Sequence, residues 1–159
     1  MTPAREKARV HRYQARCSWR GSTAAGYEGY GRAHEAGALP AAAVMTLSAD
    51  PAFLGDPTLL NPEQLVVLAA ASCQLLSFLA VAARARLDVL EYDDEAEAEM
   101  DEGDPPARIN RITLRPRIVL TAGPDRERVE HLVEVAHREC FIANSLNSDM
   151  KIEPTIEFR

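Results

Sequence analysis

One stretch of the sequence decides how the fold is predicted: Asn61-Pro62-Glu63-Gln64-Leu65-Val66-Val67-Leu68-Ala69-Ala70-Ala71-Ser72-Cys73. It carries the start signal of an α-helix, because Asn61 is a good N-cap and Pro62 suits the first helical position, where its missing N–H costs no hydrogen bond. Residues 65–83 then contain no formal charge, no Gly and no Pro. We therefore predict a helix that reaches about residue 85, is surrounded on nearly every side by other protein, and holds Cys73 in its middle.

Length and composition predict one domain. The chain has 159 residues, of which 47% are apolar, and no compositional break divides it. This is enough for a single domain over residues 1–159 with its own core. The net charge of −6 and the lack of a basic stripe argue against a nucleic-acid partner. Small or apolar substrates, or other proteins, are the expected partners.

The N-terminal residues indicate the expected location, and the spacing of the cysteines shows whether a disulfide framework or a zinc site is expected. Residues 1–9 are basic but lack a following apolar segment, so no secretory signal is expected and the predicted location is cytoplasmic. The three cysteines, Cys17, Cys73 and Cys140, lie far apart and form no Cys-x-x-Cys pair. Neither a disulfide framework nor a zinc site of recognisable spacing is therefore predicted.

The charge-free run raises one alternative, a membrane span, because its length approaches the roughly 20 residues that cross a bilayer. Ser72, Gln74 and Ser77 interrupt the run, alanine is frequent in it, and no aromatic belt flanks it. We predict a central helix of a soluble protein and no membrane contact.

Three strands are predicted before the helix. Residues 11–19 and 27–35 are interpreted as a hairpin around a glycine-containing turn, with residues 43–48 as a third short strand. Gly29 and Gly31 alternate with larger residues, so one face of the second strand is expected to be bare and open to a ligand or another backbone. Cys17 is interpreted as a packing residue of the first strand.

The pattern after the helix predicts a second hairpin, a second helix and a final strand. Acids alternate with apolar residues over 95–100, and arginines occur within a strand predicted over 109–120, so the two charge sets are expected to pair. A helix opening at Pro124 shows apolar residues at helical spacing that place Cys140 on the inward face. Residues 152–158 are predicted as an edge strand. The order βββ-α-ββ-α-β is α+β, with a long buried central helix packed on antiparallel sheets.

Two inward cysteines on two helices suggest a dithiol. The alternative is that each is core filler, because Cys is among the most buried residue types and a buried apolar thiol is inert. Reactivity would require a cation near Cys73, and its own helix offers none before Arg84. The cation must then come from another element. Arg32 is the first candidate and Arg20, in the preceding turn, is the second.

Glu63 is the other notable group. Its ordinary role is to interact with the helix dipole in the first turn. On a straight helix it lies ~15 Å along the axis from Cys73, so the two cannot touch within one chain. If they share a site, two chains build it, with two central helices crossing antiparallel. His137-x-x-Cys140 could ligate a metal, but two residues are weak evidence and no metal site is predicted.

These residues resemble the osmotically inducible protein C (OsmC) and organic hydroperoxide resistance (Ohr) family. The resemblance rests on Asn-Pro-Glu-Gln-Leu at 61–65 with Cys73 ten residues after the glutamate, and on Ala-His-Arg-Glu-Cys at 136–140 followed by Asn144. It extends to the order of strands and helices over most of the chain.

The resemblance implies a thiol peroxidase built as an intertwined homodimer. Cys73 would be the peroxidatic thiolate that reduces an alkyl or fatty-acid hydroperoxide, and Cys140 the resolving thiol that closes a disulfide with its sulfenic acid. An arginine, Arg32 or Arg20, would hold the thiolate, and Glu63 would orient that arginine. The reductant would be a dihydrolipoamide-type thiol on a lipoylated protein, with no bound cofactor or metal.

Two other functions remain open at this point. The protein could be a non-catalytic family member that senses redox state or binds an apolar ligand through the same thiols. It could also be a dimeric stress protein whose cysteines only pack, in which case Cys73→Ser would leave peroxide consumption unchanged.

Overall fold

A computed structural model describes residues 9–103 and 105–159. The basic N-terminal residues 1–8, and Asp104 between the two strands of the second predicted hairpin, lie outside the described residues. The chain divides into two compact units, Met1–Pro62 and Glu63–Arg159, and each is described by itself. The single domain expected over the whole chain stays a prediction.

The first unit holds a three-stranded antiparallel sheet. Its strands pair in chain order, with Ala36 on the middle strand opposite both Cys17 and Met45. Ala36 and Leu47 are buried, and an isolated parallel bridge joins Leu47 to Leu60, next to the start of the long helix. The predicted third strand is confirmed. The strands are β1 (Arg16–Ser18), β2 (His34–Gly37) and β3 (Val44–Leu47), with short 3-10 helices at Tyr27–Gly29 and Pro51–Phe53.

The predicted return strand over residues 27–35 is wrong. Tyr27–Gly29 is a 3-10 turn and the strand starts only at His34. The cause is a side-chain cluster: the Arg32 guanidinium stacks on the rings of Tyr27 and Tyr30 and donates to the carbonyls of both. Trp19 Nε1 adds a hydrogen bond to the carbonyl of Gly31 at 2.8 Å. These contacts hold the backbone in a loop, so no bare glycine face of a strand exists there.

Cys17 also differs from its prediction. It lies on β1 as expected, but its side chain is exposed and it is not a packing residue. β1 is only three residues long, which leaves little sheet to cover it.

The long helix α1 runs from Pro62 to Arg84, close to the predicted bounds. Its buried residues form one stripe at spacings of four and three, which is the period of a single helix face. They are Ala70, Gln74, Phe78, Val81 and Ala82. The rest of the second unit leaves the other side open, where Leu68 is 52% and Leu76 63% exposed. The second unit by itself therefore covers α1 on one side, whereas the sequence predicted cover on nearly every side.

The apolar character of α1 is also what a membrane span would require. It is the one helix among the described residues that is long and apolar enough to cross a bilayer. The core helix of a soluble protein passes the same test, so this property alone is weak evidence of a span.

The second unit adds two three-stranded sheets and one helix. The elements are β4 (Val89–Asp94), β5 (Glu97–Met100), β6 (Ile109–Leu114), β7 (Pro116–Leu120), α2 (Arg126–Glu139), β8 (Asp149–Ile152) and β9 (Thr155–Phe158). One sheet has the order β4-β7-β9 and the other β5-β6-β8, with antiparallel β4/β7 and β5/β6 pairs and parallel β7/β9 and β6/β8 pairs. The α+β class is confirmed, although both sheets of this unit are mixed.

Three details of the predicted strand order are corrected. The strand predicted over 109–120 is two strands in different sheets, because the chain changes sheet at Arg115, whose N–H donates to Asp94 Oδ1 at 2.8 Å. The final strand divides in the same way before Thr155. β4 was not predicted, because its acids obscure the alternation. The observed order is βββ-α-ββββ-α-ββ.

The predicted pairing of acids with arginines across β5 and β6 is confirmed. Arg111 Nη1 lies 3.0 Å from Glu99, and Arg115 Nη2 lies 2.5 Å from Glu97. All four side chains are at least 42% exposed, so each pair adds little to stability.

The core of the second unit positions both predicted thiols. The larger cluster joins α1, β4, β7, β9 and α2, and includes Phe78, Ile118, Val133 and Ala136. The smaller cluster, with Ala70, Ile112 and Leu114, lies nearer the start of α1. Because α1 and α2 share the larger cluster, the middle of α1 is held beside the end of α2.

Candidate active site

Cys73 and Cys140 are brought together. Cys73 is in the middle of α1 and half-buried, whereas Cys140 is the C-cap of α2 and fully buried. The Cys140 thiol donates a hydrogen bond to the Cys73 sulfur, and both cysteines are free thiols. The inward position predicted for Cys140 is confirmed, and the structure adds its contact with Cys73.

The surroundings of Cys73 favour its thiolate. Burial, the largest single effect, raises the pKa of Cys73, but hydrogen bonds outweigh it and leave that pKa below the ordinary value of a thiol. The donors are the Cys140 thiol, the backbone N–H groups of Ile142 and Phe141, and the Ser77 hydroxyl. A lowered pKa increases the thiolate, which is the nucleophilic form.

Cys140 has the opposite character. Burial first, and then the hydrogen bond to Cys73, raise the pKa of Cys140 to about 11. At neutral pH it keeps its proton while its neighbour loses one more easily. The arrangement therefore contains one nucleophilic thiol and one thiol that donates to it.

Backbone N–H groups of the turn after α2 point towards Cys73. The N–H of Asn144 donates to the Cys140 carbonyl at 3.0 Å, and Asn144 Nδ2 donates to the Arg138 carbonyl at 3.0 Å. Ser145 Oγ donates to the Phe141 carbonyl at 2.7 Å. These hydrogen bonds hold the turn in place, so the N–H groups of Phe141 and Ile142 are already oriented towards Cys73.

Gln74 ties the two helices together beside the thiols. Its side chain is buried, and Nε2 donates to the Val133 carbonyl of α2 at 3.3 Å. Because Gln74 follows Cys73 directly, this bond limits how far the thiol can move away from α2.

The structure does not bring Glu63 and Cys73 together within the chain. Glu63 lies half-buried in the first turn of α1, and the helix is continuous from there through Cys73. The rise of an α-helix then separates them by ~15 Å along the axis. The role predicted for Glu63 stays a prediction.

The two candidate arginines differ within the first unit. Arg32 lies 4.0 Å from the ring centroid of Tyr30 and 4.7 Å from that of Tyr27, and its guanidinium donates to both carbonyls. Arg20 is exposed and makes no hydrogen bond or ion pair with any residue that the structure describes. The choice of Arg32 over Arg20 as the arginine that serves Cys73 stays a prediction.

The hydrogen-bond donors Ser77, Phe141 and Ile142 around Cys73 were not predicted from the sequence. Ser77 follows Cys73 by four residues on the same helix and could have been found from that spacing. The N–H groups of Phe141 and Ile142 carry no residue-type signal, because any amino acid except proline supplies them.

His137 lies three residues before Cys140 and was considered in the sequence as a metal ligand. Burial lowers the pKa of His137, so its ring is neutral, and its Nδ1 atom is buried without a hydrogen-bond partner. Within residues 9–103 and 105–159, no group of three His, Cys, Asp or Glu side chains could hold a metal ion.

Comparison with known proteins assigns the family. The family model of OsmC-like proteins matches residues 55–155, and the chain belongs to this family. No curated protein sequence matches the chain. Among solved structures, an OsmC-like protein of unknown function from Vibrio cholerae is 27% identical with a TM-score of 0.83, over 91% of this chain and 99% of that one.

Two further structures share the fold. An organic hydroperoxide resistance protein OsmC from Legionella pneumophila is 17% identical with a TM-score of 0.69, over 94% of this chain and 99% of that one. An organic hydroperoxide resistance protein from Elizabethkingia anophelis is 16% identical with a TM-score of 0.71, over 95% and 99%. At these identities the likeness is one of fold, and the resemblance noted in the sequence is confirmed at the level of the family.

Proposed function

We propose that this protein is a cysteine-based peroxidase that reduces organic hydroperoxides to alcohols. The observation that supports this most directly is the contact of two thiols with opposite pKa shifts, lowered at Cys73 and raised at Cys140. Cys73 ionises more readily and is therefore the nucleophile, whereas Cys140 stays protonated until the second step.

In the first step the Cys73 thiolate attacks the distal oxygen of the hydroperoxide. An S–O bond forms as the O–O bond breaks, and the leaving alkoxide takes a proton from solvent to become the alcohol. Cys73 is then a sulfenic acid. In the second step the Cys140 sulfur attacks the Cys73 sulfur, the S–O bond breaks, and water leaves as the disulfide forms.

The remaining parts of the site are proposed to come from a second chain. The exposed apolar side of α1, with Leu68, Leu76 and Leu79, supports a homodimer because such a surface is costly to leave in water. Two α1 helices crossing antiparallel would bring Glu63 of one chain towards Cys73 of the other. Glu63 would then orient the arginine that holds the thiolate.

The protein would act in the cytoplasm as a soluble antioxidant of the stress response, with no bound cofactor. A dihydrolipoyl group on a lipoylated protein would return the disulfide to two thiols and itself become a cyclic disulfide. Its thiol would attack Cys73, the half-buried sulfur, because Cys140 is fully buried.

A second candidate is a redox sensor, favoured by the complete burial of Cys140. A sensor forms the same disulfide but does not cycle with a dithiol. Binding of an apolar ligand through the same thiols belongs to this alternative.

The test measures consumption of cumene hydroperoxide and of hydrogen peroxide by the reduced protein, with dihydrolipoamide or thioredoxin supplied. Mass analysis without reductant then looks for a Cys73–Cys140 disulfide. The peroxidase is expected to consume the organic peroxide faster, to depend on dihydrolipoamide and to form that disulfide. Cys17→Ser is the matched control, because Cys17 is an exposed thiol outside the pair.

Three results separate the possibilities. Oxidation to the disulfide without multiple turnovers would identify the sensor. Unchanged peroxide consumption in Cys73→Ser would refute both roles and leave the cysteines as packing residues. Loss of consumption in Cys73→Ser but not in Cys17→Ser is the expected outcome.

A further inference from the structure

A groove of about 520 Å³ lies between α2 and the end of β8, and neither Cys73 nor Cys140 lines it. The apolar part of its lining comes from Val133 on α2, which is 3% exposed, and from the half-buried Ile152 and Pro154. This volume falls within the range of small-molecule sites, which combine apolar walls with a few polar groups that fix orientation. The groove is therefore large enough to hold a small organic molecule.

Three exposed charged side chains border the groove in order along α2. Glu130, Glu134 and Arg138 follow one another at intervals of four residues, so they share one face of the helix and lie ~6 Å apart along its axis. None of the three side chains has a hydrogen bond or an ion pair with any residue that the structure describes. Glu134 and Arg138 have the order and spacing that favour an ion pair, yet they form none. The groove thus presents two carboxylates and one guanidinium to a ligand.

His137 adds a polar group without a charge to the same lining. Burial lowers the pKa of His137, so its ring is neutral at pH 7 and does not repel a cation. The charges of the lining are then two negative and one positive. A complementary ligand has two cationic groups and one anionic group, joined by an apolar segment that packs on the apolar part of the lining.

We propose that this groove binds a free amino acid with a cationic side chain, of which lysine fits most closely. The carboxylate of the ligand pairs with Arg138, its α-amine with Glu134 and its side-chain amine with Glu130. The four-carbon stem of lysine reaches about as far as the ~6 Å between the two acids, so it lies on the apolar lining while both amines are paired. The site does not involve the thiols and does not depend on the proposed function.

Other small ligands match the lining less well. A metal ion is a poor match, because no group of three His, Cys, Asp or Glu side chains in the part of the chain that the structure describes could hold one. A simple amine leaves the Arg138 guanidinium unpaired, and a fatty acid leaves both glutamates unpaired. A ligand with an apolar stem and charges of both signs pairs with all three side chains.

The test is a titration of the protein with lysine, followed through the backbone amide signals in NMR spectra. Lysine is expected to shift the signals of residues 130–138 and of Ile152. The expected dissociation constant is about 1 mM, because ion pairs between exposed groups are each weak. Binding should weaken at about 1 M salt, where exposed charges are screened.

Three analogues each lack one group of lysine: norleucine lacks the side-chain amine, 6-aminohexanoate the α-amine and cadaverine the carboxylate. Each is expected to bind about threefold to fivefold more weakly than lysine. Glu130→Gln should weaken lysine binding by the same factor and leave norleucine binding unchanged, because norleucine has no amine for Glu130 to pair with. Arg138→Gln should weaken lysine binding and leave cadaverine binding unchanged for the corresponding reason. Glu127→Gln is the matched control, because Glu127 is an exposed acid of α2 that does not line the groove.

Unshifted groove signals at about 10 mM lysine would overturn the proposal, and so would shifts centred on the acids of β4 and β5. Equal weakening of lysine and norleucine binding by Glu130→Gln would also overturn it, because that carboxylate would then not contact the side-chain amine. Unchanged lysine binding in a folded Arg138→Gln protein would remove the carboxylate contact and with it the assignment to an amino acid. None of these readouts involves peroxide, so failure of the proposed function would leave this site standing.

Discussion

Removing the Cys140 side chain should raise the pKa of Cys73. The Cys140 thiol is the leading hydrogen bond among those that lower it. A hydrogen bond to a charged acceptor contributes about 1.5–3 kcal/mol, but the thiol is a weak donor and Cys73 is half-buried, so the lower end of that range applies. One pKa unit corresponds to about 1.4 kcal/mol. We expect Cys140→Ala to raise the pKa of Cys73 by about one unit.

The assay is the pH dependence of iodoacetamide alkylation in a Cys17→Ser background, which removes the exposed third thiol. Below the pKa of Cys73 the thiolate fraction falls as that pKa rises, so alkylation in this range should be up to about tenfold slower in Cys140→Ala. Cys140→Ser keeps a donor and should raise the pKa of Cys73 less. Ser77→Ala should also raise it less, because Ser77 has the smallest effect of the four donors. An unchanged or lower pKa in Cys140→Ala, or a larger effect in Ser77→Ala, would refute this account of the thiolate.

Three other predictions concern the helix and the arginines. Gln74→Glu should lower the free energy of unfolding in urea by about 3 kcal/mol because it buries a carboxylate. Gln74→Leu should leave stability nearly unchanged because it removes both the NH2 group and the oxygen of the buried amide. Leu76→Glu should weaken dimerisation at least about 10²-fold in sedimentation, while Leu90→Glu on β4 should not; a monomeric unsubstituted protein would contradict the two-chain site. Either Arg32→Ala or Arg20→Ala should raise the pKa of Cys73 and slow peroxide attack, and the arginine whose loss does so is the one that serves the thiolate. No loss of rate in either variant would defeat the argument for a cation.

Local signals explain which parts of the fold were predictable. The bounds of α1 could be predicted from an N-cap residue type, a proline and an uninterrupted apolar run, all of which are local signals. The inward position of Cys140 follows from helical spacing in the same way. The family resemblance depends on these same segments, which is why it could be stated before any coordinates.

The wrong strand predictions arise where side-chain and backbone contacts outweigh the period-two pattern of the sequence. Stacking of Arg32 on Tyr27 and Tyr30 converted a predicted strand into a loop. The change of sheet at Arg115 divided another, because the backbone there bonds to an acid of β4 that lies far back in the sequence. Period-two alternation alone cannot distinguish one long strand from two strands in separate sheets.

The sequence by itself determined the central helix, the α+β class and the identity of the two thiols, because capping, helical period and residue type are local properties. Only the tertiary structure decided that Cys73 and Cys140 touch and that their pKa values move in opposite directions. Those shifts depend on burial and on N–H groups of a turn at the far end of another helix. Burial and backbone donors carry no residue-type signature, so they exist only once the chain is folded.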